Sequence, residues 1–280
     1  MKLRIKSKHL FAVFFSFLSL LWVIPIVMVF LISMKDNREY MMTKLWELPE
    51  SIWPLFSNWE IAMEKLHLAP ALLNSFIYAA GGSAMGVFLA SLAAYSLVKL
   101  KVKRRFFLFM VIFSGTVFPF QIYLIPLFKG YLVTDLYDSR FGMLLIYTTL
   151  MIPFCLLVFH RFFSTIPNEY IEAAKIDGAS SFRIYAAIVL PMSKAPLIIL
   201  FLTQFTWIWN DLLFSQLLTI SVEIRPVMPT LATLNSMTVG IFGTPLVMTA
   251  VLIGSLPMLI LFVLLQRYFM QGLVLTTAGE

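Results

Sequence analysis

Six apolar runs constrain this chain more than anything else in it: residues 10–34, 71–98, 106–128, 141–160, 195–220 and 245–266. Each has about 20 residues or more, the length a helix needs to cross the hydrocarbon core of a bilayer. A soluble domain buries one core and has nowhere to hide six such runs. Composition agrees: 60% of the 280 residues are hydrophobic and 12% are charged, about half the charged share of a soluble globular protein. Inside lipid the backbone must satisfy its own hydrogen bonds. The runs therefore predict an all-α integral membrane protein with six transmembrane helices.

The net charge of +7 is a topology signal rather than a phosphate-binding one. Lys and Arg gather beside the runs and form no cationic stripe with interleaved aromatics, which argues against a nucleic-acid partner. Alternate segments carry them unequally. Lys2 to Lys8, Lys99 to Arg105, the segment 161–194 and Arg267 hold fourteen, against seven in the other segments. Short basic loops resist translocation, so both termini are expected on the cytoplasmic side. The first run is too long for a signal-peptide core and no small-residue cleavage site follows it, so a retained helix is expected.

Other signals are few. Cys155 is the only cysteine, and His9, His67 and His160 share no ligand spacing, so no disulfide or metal site is expected. No repeat or linker divides the chain, and a single domain over residues 1–280 is expected. Gly82 and Gly86, continued by Ala90 and Ala94, make a GxxxG face that lets a neighbouring helix approach closely.

Two connections are long for a helical bundle: residues 35–70 on the external side, rich in Trp and Pro, and residues 161–194 on the cytoplasmic side. The second contains STIPNEYIEAAKIDGASSFRIYAAIVLP, which divides into a short helix, a glycine break and another short helix. Ser164 or Thr165 can cap the first helix and Pro167 fits its first turn. Gly178 suits a left-handed stop, Ser180 or Ser181 can cap the next helix, and Pro191 discourages continuation. Ile171, Ala174 and Gly178 share a face, and Ala173 and Ala174 keep the helix slim enough to enter a groove. An interfacial helix on the lipid surface is the alternative.

Glu172-Ala173-Ala174, then Asp177-Gly178-Ala179, then Leu190-Pro191 resembles the EAA loop of ABC importer permeases. The resemblance runs over nearly the whole chain and is nearest to the smaller permease of maltose-type carbohydrate importers. Asn74-Ser75, Ala93-Ala94-Tyr95, Pro119 and Pro126 around Gln121, Trp209-Asn210-Asp211, and Gln266 to Phe269 with Gly272 agree with it. The ending Ala278-Gly279-Glu280 departs from the usual second glycine and Lys-Gly pair.

The resemblance implies a type I importer permease fold in a bacterial cell membrane, with Glu172, Ala173, Ala174, Asp177, Gly178 and Ala179 docking into an ATPase subunit. It also implies a second permease, two ATP-binding subunits, and an extracellular or periplasmic solute-binding protein for a sugar or sugar-like solute. No Gly-Lys dipeptide occurs, so this chain holds no P-loop. ATP and magnesium are expected on the partner ATPase, with no cofactor on this chain.

Gln204, Trp207, Asn210 and Asp211 fall on or near one face of the fifth run. An aspartate there costs about 2.5–3.5 kcal/mol in lipid, so it should face the bundle or a wet cavity. Indole stacks on sugar rings and amides bond hydroxyls, which makes these residues and Gln121 candidates for the solute path. Helix-to-helix bonding is the alternative role. An ion-coupled secondary transporter is the rival function; it would place ionisable groups in two matching halves, and Asp211 stands alone.

Overall fold

Four of the six runs are continuous helices; the third is broken by a sharp bend and the fifth by a helix stop and restart. The computed structural model describes residues 2–238 and 243–277, and among these every regular element is helical. The order begins with α1 (Lys2–Ser33), α2 (Asn37–Met42), α3 (Trp53–Glu64), α4 (Leu68–Lys99), α5 (Arg105–Phe113) and α6 (Leu124–Val133). It continues with α7 (Arg140–Thr165), α8 (Asn168–Ile176), α9 (Ser181–Ile184), α10 (Leu190–Met192) and α11 (Lys194–Trp209). Helices α12 (Leu213–Leu218), α13 (Val227–Thr238) and α14 (Thr244–Thr277) complete it. The residues cluster into two compact units, Met1–Ala69 with Thr230–Pro257, and Pro70–Pro229 with Met258–Glu280.

In the first unit α1 contacts α3, and a cation just past the first apolar run organises the chain between them. Lys35 is 1% exposed. Its Nζ donates to Thr43 Oγ1 and to the Lys44 carbonyl, each at 2.8 Å, so the buried charge is solvated by protein oxygens. Asp36 starts α2 by accepting from the Glu39 N–H at 2.7 Å.

In the second unit α4 and α7 approach through the glycine face read from the sequence. A Cβ on Gly82 would lie 2.9 Å from Tyr147 Cβ, and one on Gly86 would lie 2.8 Å from Met151 Cβ. Only hydrogen at these two positions permits the helices to pack at this distance.

The third run is not one helix from 106 to 128. Its halves meet at 89° across residues 117–119. Pro119 takes φ −60° and ψ 133°, removes an N–H and biases the preceding residue away from helix, whereas Pro126 lies in the first turn of α6, where a missing N–H costs nothing.

The fifth run does not continue as a helix from 195 to 220. Helix α11 stops at Trp209, and α12 restarts at Leu213 because the Asp211 carboxylate takes the first N–H groups of the new helix. Pro191 does not stop the helix before it. A π-turn over Tyr185–Val189 shifts the Leu190 N–H to the Tyr185 carbonyl and accommodates the proline within α10. The 79° bend falls later, at Ser193. Ser164 and Thr165 do not cap α8 either, since both remain in α7 and bond back to its own carbonyls. The ending Ala278-Gly279-Glu280 lies outside the described residues.

Candidate functional site

The side chains singled out in the sequence fall in two places, both in the second unit. In the first, α7 ends at Ile166 in an extended conformation, Pro167 follows at φ −59° and ψ 139°, and α8 begins at Asn168. Glu169 in its first turn and Lys175 in its last follow the helix dipole. At its other end, Gly178 has φ +77°; its N–H bonds the Lys175 carbonyl and the Ala179 N–H bonds the Ala174 carbonyl, each at 3.0 Å. Asp177 N–H bonds the Ala173 carbonyl at 3.1 Å. Ala173, Ala174, Asp177, Gly178 and Ala179 thus form one helix stop, a Schellman arrangement whose left-handed position favours glycine. Ser180 then accepts from Arg183 N–H at 3.3 Å and opens α9.

The exposed surface of this segment differs from the face read in the sequence. Ile171 is only 3% exposed and anchors α8 to the chain. Ile176 lies about 140° further round the helix at 100° per residue, and it is 87% exposed. Tyr170 and Phe182 are 54% and 66% exposed. These three apolar residues were missed; their signal was available once Ile171 was turned inward. Glu172, Ala173, Asp177 and Gly178 are exposed, and Ala174 and Ala179 are half-buried. Beside α8 lies a cleft of about 420 Å³ bordered by Lys99, Lys101, Lys103, Arg105, Glu172 and Lys175.

The second place is a larger cleft of about 870 Å³ between the bent third span, α7 and α11. Gln204, Trp207, Asn210 and Asp211 all border it, with Phe120 and Phe214. Gln121 does not; it stands exposed in the turn while Phe120 faces the cleft. The aromatics are mutually packed, Phe120 lying 5.8 Å from Trp207 and 5.6 Å from Phe214 between ring centroids. Asp211 is buried and already satisfied: Tyr147 O–H donates to it at 2.8 Å, and the N–H groups of Leu213, Phe214 and Ser215 at 3.0–3.3 Å. It holds α12 in place, so Trp207 and Asn210 are the groups on this wall with faces left to offer. Asn210 Nδ2 itself bonds the Thr206 carbonyl at 2.8 Å.

A clasp near the other end of α7 fixes the loop after α12. Asp138, at φ +50°, a conformation aspartate tolerates better than most residues, accepts from Ile220 N–H at 2.8 Å and Ser221 N–H at 3.0 Å and bonds the Ser221 hydroxyl. Burial raises its carboxyl pKa, but the Ser221 hydroxyl, the two N–H groups and Arg225 outweigh this and hold it below the usual 3.8. From α4, Asn74 donates to the Glu223 and Arg225 carbonyls at 2.9 and 3.2 Å, Tyr78 to the Ile224 carbonyl at 2.9 Å, and Ser75 accepts from Val227 N–H at 2.8 Å. The Asn74-Ser75 pair seen in the sequence therefore serves to hold residues 223–227.

The description "binding-protein-dependent transport system inner membrane component" matches residues 82–274, which include α8 and the large cleft. The chain belongs to this family. This permease is 39% identical over 176 residues to a probable ABC transporter permease protein of Pyrococcus horikoshii, covering 63% of this chain and 62% of that protein. It is 28% identical over 276 residues to the melibiose/raffinose/stachyose import permease protein MelC of Bacillus subtilis, covering 96% of each chain. Its fold is shared with a chain of a bacterial ABC transporter involved in import of the acidic polysaccharide alginate, at TM-score 0.80 and 22% identity, covering 92% of this chain and 94% of that one. The permease is thus an all-α inner-membrane component with the fold of ABC importers, and in this family the ATPase is a separate subunit. The ion-coupled alternative gains no support.

Proposed function

We propose that this permease, with residues 1–280 serving as one permease domain, forms half of the translocation path for a sugar or sugar-like solute delivered by an external binding protein. A second permease forms the other half, and two ATP-binding subunits carry the ATP and magnesium, leaving this chain without a cofactor. Both termini lie on the cytoplasmic side, as the Lys and Arg distribution favours. Helix α8 is the docking element: Glu172 to Ala179 build its stop, and Tyr170 and Ile176 present apolar knobs to a groove on the ATPase.

The observation that carries this proposal is an exposed helix with outward apolar side chains, ended by a tight glycine stop, within the family-matched region. A helix lying in lipid would turn its apolar residues to one side, whereas Ile171 and Ile176 point apart. The solute class is supported by the aromatic and amide groups of the large cleft, whose volume is that of a small-molecule site, and by the sugars named for the B. subtilis relative. Gln204, Trp207 and Asn210 border the path, with Asp211 shaping it from behind, and Phe120 rather than Gln121 contributes to its wall.

Native mass spectrometry of the complex extracted from its own membrane tests the assembly. The expected mass contains this chain, a second permease and two ATPase subunits. A complex with no ATPase subunit would overturn the proposal.

A further inference from the structure

We propose that Ser91, Tyr95 and Lys99 are positioning residues that fasten both arms of the docking segment to α4, so that α8 and α4 move as one body. The proposal rests on the importer reading for the role of α8, and on independent geometry for the fastening.

Positions 91, 95 and 99 recur every four residues and lie along one stripe of α4, each about 6 Å beyond the last. The first rung joins Ser91 Oγ and the Tyr185 hydroxyl at 2.6 Å, both side chains being buried. Ser91 spends its single hydroxyl hydrogen on the Phe88 carbonyl at 2.7 Å, so Tyr185 is the donor. In the second rung the Tyr95 hydroxyl donates to the Ser181 carbonyl at 3.0 Å. In the third, Lys99 Nζ donates to the Ile166 carbonyl at 2.6 Å and to Asn168 Oδ1 at 2.9 Å. Tyr95 and Tyr185 also pack together, with ring centroids 5.3 Å apart.

The rungs grip the chain at the start of α8, at Ile166 and Asn168, and after its end, at Ser181 and Tyr185. The covalent route from α8 towards the large cleft is poorly suited to carry a push. It passes the left-handed Gly178, the π-turn from Tyr185 and the 79° bend before α11. Helix α4 has 32 residues without an internal break, about 48 Å of rod. Beyond the ladder it lies against Tyr147 and Met151 of α7 and Ile208 of α11 through Gly82 and Gly86. A displacement of α8 therefore reaches the cleft-bordering helices along α4. The Ala93-Ala94-Tyr95 signature gains a reason here: Tyr95 makes a rung, while Ala94 is fully buried beside it.

The test uses the assembled importer in nanodiscs, with spin labels on Lys175→Cys in α8 and Leu89→Cys in α4, both exposed positions. The probes are ATP and its absence, so no solute need be known. With the ladder intact, one narrow distance is expected that does not change between the two states. The triple variant Tyr95→Phe, Tyr185→Phe and Lys99→Met retains the rings and removes all three rungs. It should broaden the distance or shift it on ATP binding. Tyr185→Phe alone should give a smaller shift, and Ser91→Ala combined with Tyr185→Phe should match it, because both cut the same bond. Lys99→Arg should behave as wild type, which a nonspecific loss of packing would not reproduce. An unchanged distance in both Tyr185→Phe and the triple variant would overturn the ladder. A wild-type distance that changes with ATP would overturn it as well. Failure to recover any ATPase subunit with wild-type chain would instead remove the importer reading, and the ladder's coupling role with it.

Discussion

The clasped loop at residues 219–227 and the docking segment at 166–185 are both connections between helices, yet they are held in opposite ways. The loop is pinned along its length by Asn74, Ser75, Tyr78, Asp138 and Arg140, mostly through backbone N–H and C=O groups. The docking segment is gripped at its two ends and by Ile171, and leaves the rest of α8 in the open. Backbone groups secured by the chain itself need no partner, whereas exposed apolar side chains such as Ile176 gain from one. On the orientation proposed from the Lys and Arg distribution, the clasped loop lies outside and the open helix in the cytoplasm. The difference separates a surface that keeps its shape from one built to be covered.

Four substitutions test that contrast, beginning with the largest expected loss of stability and ending with the smallest. Asp211→Leu leaves Tyr147 and three backbone N–H groups without their acceptor. It should cost about 2–4 kcal/mol, seen as a lower unfolding midpoint in detergent together with reduced transport. A variant as stable as wild type would mean that the carboxylate does not hold α12.

Asp138→Ala releases the clasp and should cost about 1–2 kcal/mol, with faster hydrogen exchange confined to residues 219–225. The same group sets a pH dependence. Its carboxyl is held below 3.8 in the folded chain, so its contribution is complete above that value and is lost as pH falls through the lower folded one. The unfolding midpoint of wild type should therefore fall more steeply than that of Asp138→Asn below about pH 4. Parallel curves would place the stabilisation elsewhere.

Gly178→Val meets no atom within 4 Å of the new Cβ, so its cost is the positive φ alone, about 1–3 kcal/mol for a bulky branched residue. The strain is local to the end of α8, and the loss should appear in ATPase stimulation rather than in the exchange of residues 219–225. Ile176→Ser should change stability by less than about 0.5 kcal/mol while weakening recovery of the ATPase subunit in a pull-down. Undiminished recovery would show that the exposed face of α8 is not the one covered.

Hydropathy made the membrane class and four unbroken spans legible, because it measures where apolar residues lie along the chain. It does not report whether the backbone turns inside an apolar run. The bend at 117–119 and the helix break at 210–212 were therefore invisible to it, although Pro119 and Asp211 are their local causes. Proline alone was an unreliable stop: Pro119 breaks a helix, whereas Pro191 is absorbed by a π-turn that depends on surrounding packing. The stop at Gly178 was readable because it is made within a few residues. The inward side of α8 was not, since it depends on what packs against Ile171. In the solute cleft, spacing on one face placed Gln204, Trp207, Asn210 and Asp211 together, and it had no means of telling that Phe120 rather than Gln121 borders the same space.

The central claim is that α8 couples ATP hydrolysis to transport. ATPase activity of the reconstituted complex, measured in proteoliposomes with and without its binding protein, tests it most directly. Stimulation is expected in wild type and should be lost in Gly178→Val and Ala174→Trp, with the complex still assembled. Full stimulation and full transport in both variants would contradict it.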